Sequence, residues 1–388
     1  MARLGEICKF QSGGTPSKGE ASYFNGNIPW ITTVALNGKS INEKSAVDWI
    51  TEKAIEKSAA KIVPTNSVMV GTRVGVGKVA INKVPMSTSQ DIISLIDIDE
   101  SKWSKEFICK FIQGKGSYLN SQARGATIKG IKIETLAGLQ LPDITLEEQN
   151  RIADVLDIVE NLISLRKEQI AKLDELVKAR FVEMFGDMLL NTMDWNEIQL
   201  VELADVVSGI TKGRKVKDQE LIEVPYMAVS NVKDGYIDWT TVKTIMATAQ
   251  EIEQYRLLPN DVLMTEGGDP DKVGRGAVIQ KPLENSIHQN HIFRVRLNCS
   301  KILPTFFAEY LQHQKAKRYF LGCAKQTTGI ASINMRQLRA LPVLVPPLEL
   351  QEKFTFFVEQ TEKTKLTLQE SLGRLDVMKK ALMQQYFG

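Results

Sequence analysis

Polar and basic residues on glycine-containing loops are the features of this sequence that could bind a ligand. In such loops the backbone can approach phosphates, and side chains can reach the edges of bases. The candidates in the first half are Thr15, Ser17, Lys18, Thr72, Arg73, Lys78, Arg124 and Lys129. Those in the second half are Lys212, Arg214, Lys215, Lys217, Asn231, Arg275, Gln289, Asn290, Gln326 and Thr328. Exposed loops are often polar and basic in any protein, so the clusters carry the prediction of DNA contact better than single residues do.

The sequence carries no complete catalytic motif. The segment GTRVGVGK at 71–78 is similar to a phosphate-binding loop, but such a loop requires Ser or Thr after the lysine, and Val79 follows it. An amino-methyltransferase would carry an acidic-or-Asn Pro-Pro-aromatic tetrapeptide, and the sequence contains none. No cluster of nuclease carboxylates stands out. We therefore expect no cofactor, no catalytic residue and no enzymatic activity of the chain itself.

Metal ligands are not indicated either. His288 and His291 could bind a metal, but the corresponding part of the first half has Thr88 and Ser89 instead of histidine. Polar DNA contact or a plain surface position is the simpler role for these histidines. The four cysteines lie far apart without a CxxC pair, which predicts neither a structural zinc site nor a disulfide framework; they are Cys8, Cys109, Cys299 and Cys323.

Length and composition are those of an ordinary globular protein. The chain has 388 residues, of which 43% are hydrophobic and 24% charged, enough for two or three domains. A formal net charge of +3 is only mildly basic and does not by itself indicate nucleic-acid binding. The sequence shows no apolar run before Gly13 and no membrane-spanning stretch, so we expect a cytoplasmic location.

The chain repeats itself. The segment LDELVKARFVEMFG at 173–186 and the segment LDVMKKALMQQYFG at 375–388 share six identities in fourteen positions at a shift of 202. At the same shift LEEQ at 146–149 meets LELQ at 348–351. Further upstream, IPWITTVALNGKSI is similar to VPYMAVSNVKDGYI after a change of a few residues in the shift. This period is too long for a solenoid and indicates a duplicated domain.

Each repeat combines a mixed α/β globular part with a long helix. Short apolar runs bounded by Gly, Pro, Asn and Asp predict strands, and single helices are predicted at 107–119 and 306–320. We predict globular domains at 1–144 and 188–346, followed by helices at 145–187 and 347–388. Each helix would be roughly 60 Å long.

The long helices carry heptad-spaced apolar residues. The seam residues are Ile152, Leu156, Val159, Ile163, Ile170, Leu173, Val177, Phe354, Val358, Leu368, Leu372, Leu375 and Leu382. A helix with such a stripe must bury it. The natural partner is the other helix, and pseudo-two-fold symmetry between the repeats requires the two to run antiparallel. The alternative is that each helix folds back on its own domain.

These features resemble the DNA-specificity subunit of type I restriction–modification systems. The resemblance covers essentially the whole chain and rests on LGEICKFQSGGTPSK at 4–18, LPDITLEEQNRIADVLD at 141–157, LDELVKARFVEMFGD at 173–187 and VPPLELQEKF at 345–354. It implies an α+β fold with two target-recognition domains of one duplicated type, separated by two long antiparallel helices as a coiled-coil spacer. The second repeat opens with LADVVSGITKGRKVK and lacks the GGTPS phrase, so the two domains are expected to read different half-sites.

The resemblance also implies partners. Each domain would read one half of an asymmetric bipartite site in double-stranded DNA, and the helices would set the spacer and dock two methyltransferase subunits. Restriction and translocase subunits would join through the methyltransferase complex. Two other functions remain open from the residues alone: a coiled-coil scaffold with protein-binding domains, and an unrecognised nucleic-acid-modifying enzyme. Salt-insensitive binding would favour the scaffold, and activity of the isolated chain on DNA would favour the enzyme.

Overall fold

The computed structural model describes residues 1–125, 127–214, 220–327 and 329–388. The chain divides into two compact units, the first formed by residues 1–167 with 370–388 and the second by residues 168–369. Each unit therefore combines one globular region with segments of both long helices. No helix within the described residues has the length and apolar character needed to cross a membrane.

The first unit is a mixed α/β structure. Its strands are β1 (Ala2–Arg3), β2 (Lys9–Ser12), β3 (Phe24–Ile31), β4 (Ser40–Ile41), β5 (Asp48–Ile50), β6 (Ile62–Val63), β7 (Val68–Gly71), β8 (Val79–Asn82), β9 (Met86–Thr88), β10 (Ile92–Ile96) and β11 (Gln140–Leu141). Its shorter helices are α1 (Leu4–Ile7), α2 (Glu52–Lys57), α3 (Lys105–Gly114), α4 (Gly116–Gln122) and α5 (Ile133–Ala137). The five-stranded sheet has the order β2-β10-β7-β8-β4, and the four-stranded sheet has the order β5-β3-β9-β6.

The second unit repeats this plan after helix α6 (Leu146–Phe185), which contributes to both units. Its strands are β12 (Asn196–Gln199), β13 (Ala204–Ser208), β14 (Ile222–Met227), β15 (Lys243–Ala247), β16 (Val262–Thr265), β17 (Gly267–Gly268), β18 (Gly276–Val278), β19 (Ile287–His288), β20 (Ile292–Leu297), β21 (Lys325–Thr327), β22 (Ile330–Ser332) and β23 (Pro342–Val345). Its helices are α7 (Ala249–Tyr255), α8 (Pro304–Gln312), α9 (Gln314–Cys323), α10 (Met335–Arg339) and the shared α11 (Leu348–Phe387).

The sheets of the two units share the same strand order, except that the edge strands β4 and β6 of the first unit have no counterpart in the matching sheets. The order β13-β20-β16-β18 matches β2-β10-β7-β8, and β15-β14-β19 matches β5-β3-β9, including the parallel pairing of its last two strands. The pair β12-β23 matches β1-β11. The duplication predicted from the sequence is therefore present in the fold. The second unit also has a fourth sheet, β17-β22-β21, among its described residues.

The sequence predicts one helix at 107–119 and one at 306–320. This prediction is wrong in one respect, because each segment forms two helices. In the first unit the break lies at Lys115, between two glycines, where the backbone leaves helical geometry at φ −85° and ψ 5°. In the second unit it lies at His313, which is extended. The imidazole of His313 accepts a hydrogen bond from the Lys315 amide and so caps α9.

Within each unit the segments of α6 and α11 run antiparallel. In the first unit Glu160 pairs with Lys379 at 2.8 Å, while Arg151 interacts with Tyr386, so residue numbers fall on one helix as they rise on the other. In the second unit Asp174 pairs with Lys365 at 2.6 Å, and Phe185 lies against Phe354. All the predicted seam residues are buried or half-buried.

An aromatic cluster and a buried lysine attach the helices to the first globular region. The ring of Phe387 on α11 packs edge-on against Phe107 and Phe111 of α3, with ring centroids 5.5 and 5.7 Å apart. On the same face of α3 the Lys110 ammonium contacts Asp157 at 2.6 Å and Glu160 at 2.7 Å. Burial by itself would lower the pKa of Lys110, but its bonds to these carboxylates outweigh that effect and raise it.

The second unit has a larger group of aromatic rings at the equivalent place. Phe181 and Phe185 of α6 meet Phe306 of α8 and Phe354 of α11, with centroid distances between 4.9 and 5.5 Å. The helix then ends at Gly186, whose positive φ of 74° suits the residue after a helix C-terminus. The repeated phenylalanine–glycine pair therefore marks where a long helix finishes against a globular region.

We predict that Lys110→Ala destabilises the first unit by roughly 3 kcal/mol, because it removes the buried cation that contacts both Asp157 and the half-buried Glu160, and Lys379 still pairs with Glu160 but does not replace the contact with Asp157. The matched control is Lys9→Ala, since the Lys9–Asp97 pair is exposed and should contribute less than about 1 kcal/mol. Urea unfolding of the full chain measures both. Equal effects of the two substitutions would contradict a structural role for the buried pair.

Candidate nucleic-acid interface

Four loops meet at one edge of the first unit. The first begins at Gly13, whose amide donates to the Ile92 carbonyl, and Gly14 accepts a hydrogen bond from the Trp30 indole. A Cβ on Gly13 would collide with the carbonyl oxygen of Ser89, and one on Gly14 would collide with the backbone of Ala59. Only glycine permits this close approach, which explains the Gly-Gly pair before the polar residues.

Hydrogen bonds join the remaining loops to the first. The Thr15 hydroxyl donates to the Gln90 side chain, and the Thr72 amide donates to the Asp91 carbonyl at 2.8 Å. The Ile131 amide donates to the Thr72 carbonyl at 2.8 Å. Backbone hydrogen bonds thus hold together loops that are far apart in the sequence. Most of the side chains on these loops take no part in those bonds.

A cavity of about 480 Å³ opens beside these loops. Arg73, Arg124 and Lys132 supply positive charge to its lining, while Gln122 adds an amide and Ile128 an exposed apolar side chain. Two of these residues, Arg73 and Arg124, were predicted contacts. Lys132 and Gln122 were not predicted, because neither stands in a glycine-containing motif.

The remaining predicted residues of the first unit divide by exposure. Ser17, Lys18, Lys78 and Lys129 are exposed on the loops. Thr72 is instead buried, and its hydroxyl donates to the Asp91 carbonyl at 3.2 Å. Its side chain therefore holds two loops together and does not reach the surface.

The second unit builds the same edge with other side chains. The Ile210 amide donates to the His288 carbonyl, the Glu266 amide to the His291 carbonyl, and the Ile333 amide to the Glu266 carbonyl, at 2.8–3.0 Å. Lys212 is exposed on the first of these loops, and Arg275 and Asn290 are half-buried. His291, for which the sequence suggested polar DNA contact or a plain surface position, is exposed, and Glu266 was not predicted as a site residue.

Other predicted residues of the second unit have internal partners. Asn231 is fully buried; its amide nitrogen donates to the Asp238 carbonyl, and its side-chain oxygen accepts from the Ala228 amide. Arg214 is paired with Glu251, which raises the pKa of the guanidinium. Gln289 accepts from the Val229 amide at 3.4 Å. Lys215, Lys217, Thr328 and the side chain of Gln326 lie outside the described residues.

His288 has an internal position. Its ring is fully buried, and Nδ1 lies 3.1 Å from the Ile292 carbonyl oxygen, so Nδ1 carries the proton. Burial, with a smaller effect from Arg294, lowers the pKa of His288 to about 4. Among the described residues no group of three or more His, Cys, Asp or Glu side chains is arranged to hold a metal ion.

The architecture and the paired edges match one protein family. The family model for the type I restriction modification DNA specificity domain matches residues 1–175 and again residues 192–374. The two matches cover most of the chain and coincide with its duplication. The chain belongs to this family.

Relatives support the same assignment. The type I restriction enzyme MjaIX specificity subunit of Methanocaldococcus jannaschii is 29% identical over 220 residues, which are 56% of this chain and 50% of that protein. The EcoKI specificity subunit of Escherichia coli is 21% identical over 356 residues, 86% of this chain and 76% of that protein. The chain thus spans about half the length of the first of these relatives.

Solved structures show the shared fold. The S subunit of a type I restriction–modification system from M. genitalium gives a TM-score of 0.59 at 16% identity, covering 100% of this chain and 95% of that one. A structure from work on complex assembly and conformational transition of the type I R-M system gives 0.62 at 17% identity, covering 100% and 96%.

The buried imidazole leads to a prediction of pH-dependent stability. An unfolded histidine titrates near 6.5, whereas His288 titrates at about 4 in the fold, so the unfolded state binds more protons between these values. Stability should therefore fall as pH falls from about 6.5 to 4, by up to about 3 kcal/mol from this group. His288→Gln removes the titration while retaining a donor for the Ile292 carbonyl.

The measurement is urea unfolding of both proteins at several pH values. The difference in the free energy of unfolding between wild type and His288→Gln should change across that window in favour of the variant at low pH. A difference that stays constant with pH would contradict the assignment.

Proposed function

We propose that this chain is a non-catalytic specificity subunit that reads an asymmetric bipartite site in double-stranded DNA, one half-site with each unit. The observation that carries the proposal is the edge of four loops, which occurs once in each unit on the same backbone hydrogen bonds but with different side chains. Phosphate contacts would position such an edge, and side chains reaching the base edges would supply specificity. Membership of the specificity family supports this function.

The positive charge on the four-loop edge of the first unit is complementary to the negative phosphate backbone of DNA. Arg73 and Arg124 line one cavity together with Lys132, and the two arginines are exposed. The acidic neighbour Asp91 lies 4.0 Å from Arg73, too far for a strong pair. Both guanidinium groups therefore remain available for the bidentate contacts that arginine makes with phosphate or guanine.

We expect that Arg73→Ala with Arg124→Ala weakens binding to duplex DNA and lowers the dependence of affinity on salt. Each lost phosphate contact should reduce the slope of log K against log salt concentration by about one. Lys44→Ala is the control, because Lys44 is exposed in the same unit but outside the four loops. Titrations of the full chain with labelled duplex at several salt concentrations give both slopes, and unchanged affinity and slope in the double variant would remove this edge from the interface.

The long helices are proposed to set the spacer between the half-sites. Each is a continuous 40-residue helix, which corresponds to about 60 Å. A rigid connection of fixed length would tolerate little variation in the spacer, because moving a half-site along B-DNA also rotates it around the axis at about 34 Å per turn.

The helices also offer a surface for partner subunits. In the first unit Ile158, Leu162 and Leu165 of α6 are 59%, 40% and 54% exposed, and their spacing of four and three places them on one face. In the second unit Leu176 and Val182 of the same helix are each 48% exposed. Exposed apolar side chains of this kind are typical of docking sites, and we assign these surfaces to two methyltransferase subunits that would perform the chemistry and connect to restriction and translocase subunits.

Lengthening the helices tests the spacer. Since Glu160 faces Lys379, the position facing Ile163 is Asp376, so four residues inserted after Ile163 and four inserted before Asp376 should lengthen the first unit's helix pair by one turn. That adds roughly 6 Å, or about two base pairs of DNA. We expect the preferred spacer to lengthen accordingly, with both half-site sequences unchanged.

The preferred sites of the inserted variant are obtained by selection from random duplex DNA, with methyltransferase partners present. The control carries a four-residue insertion in the exposed turn at 284–285, outside the helices. An unchanged spacer in the helix variant, or new bases in the half-sites, would argue against the helices as the distance-setting element.

A further inference from the structure

Hydrogen bonds hold both the backbone amide and the backbone carbonyl of Asn290 in the four-loop edge of the second unit. The Ser208 hydroxyl donates to the Asn290 carbonyl at 2.6 Å, and the Asn290 amide donates to the Ile210 carbonyl at 3.0 Å. Both partners belong to the loop that opens the second repeat. The Cα–Cβ direction of Asn290 is therefore fixed, and only its side-chain torsions remain to be set.

A series of side-chain hydrogen bonds sets the side-chain torsions of Asn290. The His291 Nδ1 atom lies 2.6 Å from Oε2 of Glu266, and the His291 Nε2 atom lies 3.3 Å from the side-chain nitrogen of Asn290. An ionised carboxylate only accepts hydrogen bonds, so the imidazole proton must be on Nδ1. With the single imidazole proton on Nδ1, Nε2 is an acceptor, and the Asn290 side-chain nitrogen donates to it.

In this orientation the side chain of Asn290 presents a defined set of hydrogen-bond donors and acceptors. One N–H is used by His291, while the side-chain oxygen and the second N–H have no partner among the described residues. An outward acceptor next to an outward donor is complementary to adenine in the major groove, which presents the N6 amino donor beside the N7 acceptor. We infer that Asn290 reads an adenine in the half-site bound by the second unit, with Glu266 and His291 as positioning residues.

The first unit differs at the equivalent position. The Thr72 amide binds the Asp91 carbonyl as the Glu266 amide binds the His291 carbonyl, so Gln90 corresponds to Asn290. Gln90 uses its side-chain oxygen to accept from Thr15. In Gln90 the amide oxygen is already engaged, whereas in Asn290 the amide nitrogen is engaged. The two amides stand at equivalent positions of the same backbone framework, so Gln90 is a matched control for Asn290.

This inference rests on the proposed function, and its test separates the two. Sites are selected from a random duplex library by the full chain with methyltransferase partners, for wild type and each variant. Asn290→Ala should reduce the preference for adenine at one position of one half-site by roughly 5- to 150-fold, the discrimination of a good bidentate contact. Glu266→Ala and His291→Ala should weaken the preference at that same position. Glu266→Gln keeps an acceptor for Nδ1–H and should retain most of it.

Two controls make the test specific. Gln90→Ala should change only the other half-site, and Glu284→Ala, at an exposed carboxylate of the second unit, should change neither. Thermal unfolding midpoints of all variants should match wild type, since a general loss of structure would lower them and affect every position. If Glu266→Ala or His291→Ala leaves the adenine preference intact, or if Asn290→Ala alters a base other than adenine, the inference is overturned. If the wild type selects no bipartite sequence, the proposed function itself is wrong, whatever the Asn290 variant shows.

Discussion

The packing of phenylalanine rings at the end of each long helix determines where each globular region is held. Phe387 inserts between the helix segments and α3 in the first unit, and Phe185 does the same against α8 in the second. Each buried ring contributes on the order of 1.5–3 kcal/mol through apolar burial, and edge-on pairs add about 0.5–1.5 kcal/mol. The interaction is directional, so it fixes orientation as well as contact. A globular region held this way presents its four loops at a defined angle to its own helix segments.

In the four-loop edge the backbone and the side chains have different roles. Its loops are joined by main-chain hydrogen bonds and by the close approach of Gly13 to Ser89, or of Gly209 to His288 in the second unit. Exposed side chains on these loops take little part in that framework. They can therefore change without unfolding the domain, as the contrast between Asp91 and His291 shows.

Sequence reasoning predicted the features that depend on periodicity. The duplication, the mixed α/β class and the long helices were confirmed, and the helices begin within one residue of the expected start. It did not predict the break of each shorter helix, because capping by His313 depends on one side-chain orientation. Nor did it separate displayed residues from internal ones: Thr72 and Asn231 bind backbone groups inside the fold. The pair of Glu266 and His291 joins residues 25 positions apart, which only the folded strands bring together.

The composition of the first unit has a consequence for biosynthesis. Its core includes Phe387, Leu382 and Met383, yet these residues leave the ribosome only after every residue of the second unit has been made. Domains usually fold in the order in which they are synthesised. Here the first unit lacks its aromatic anchor until every residue of the second unit has been translated, and so its core is completed only after the second unit has been made.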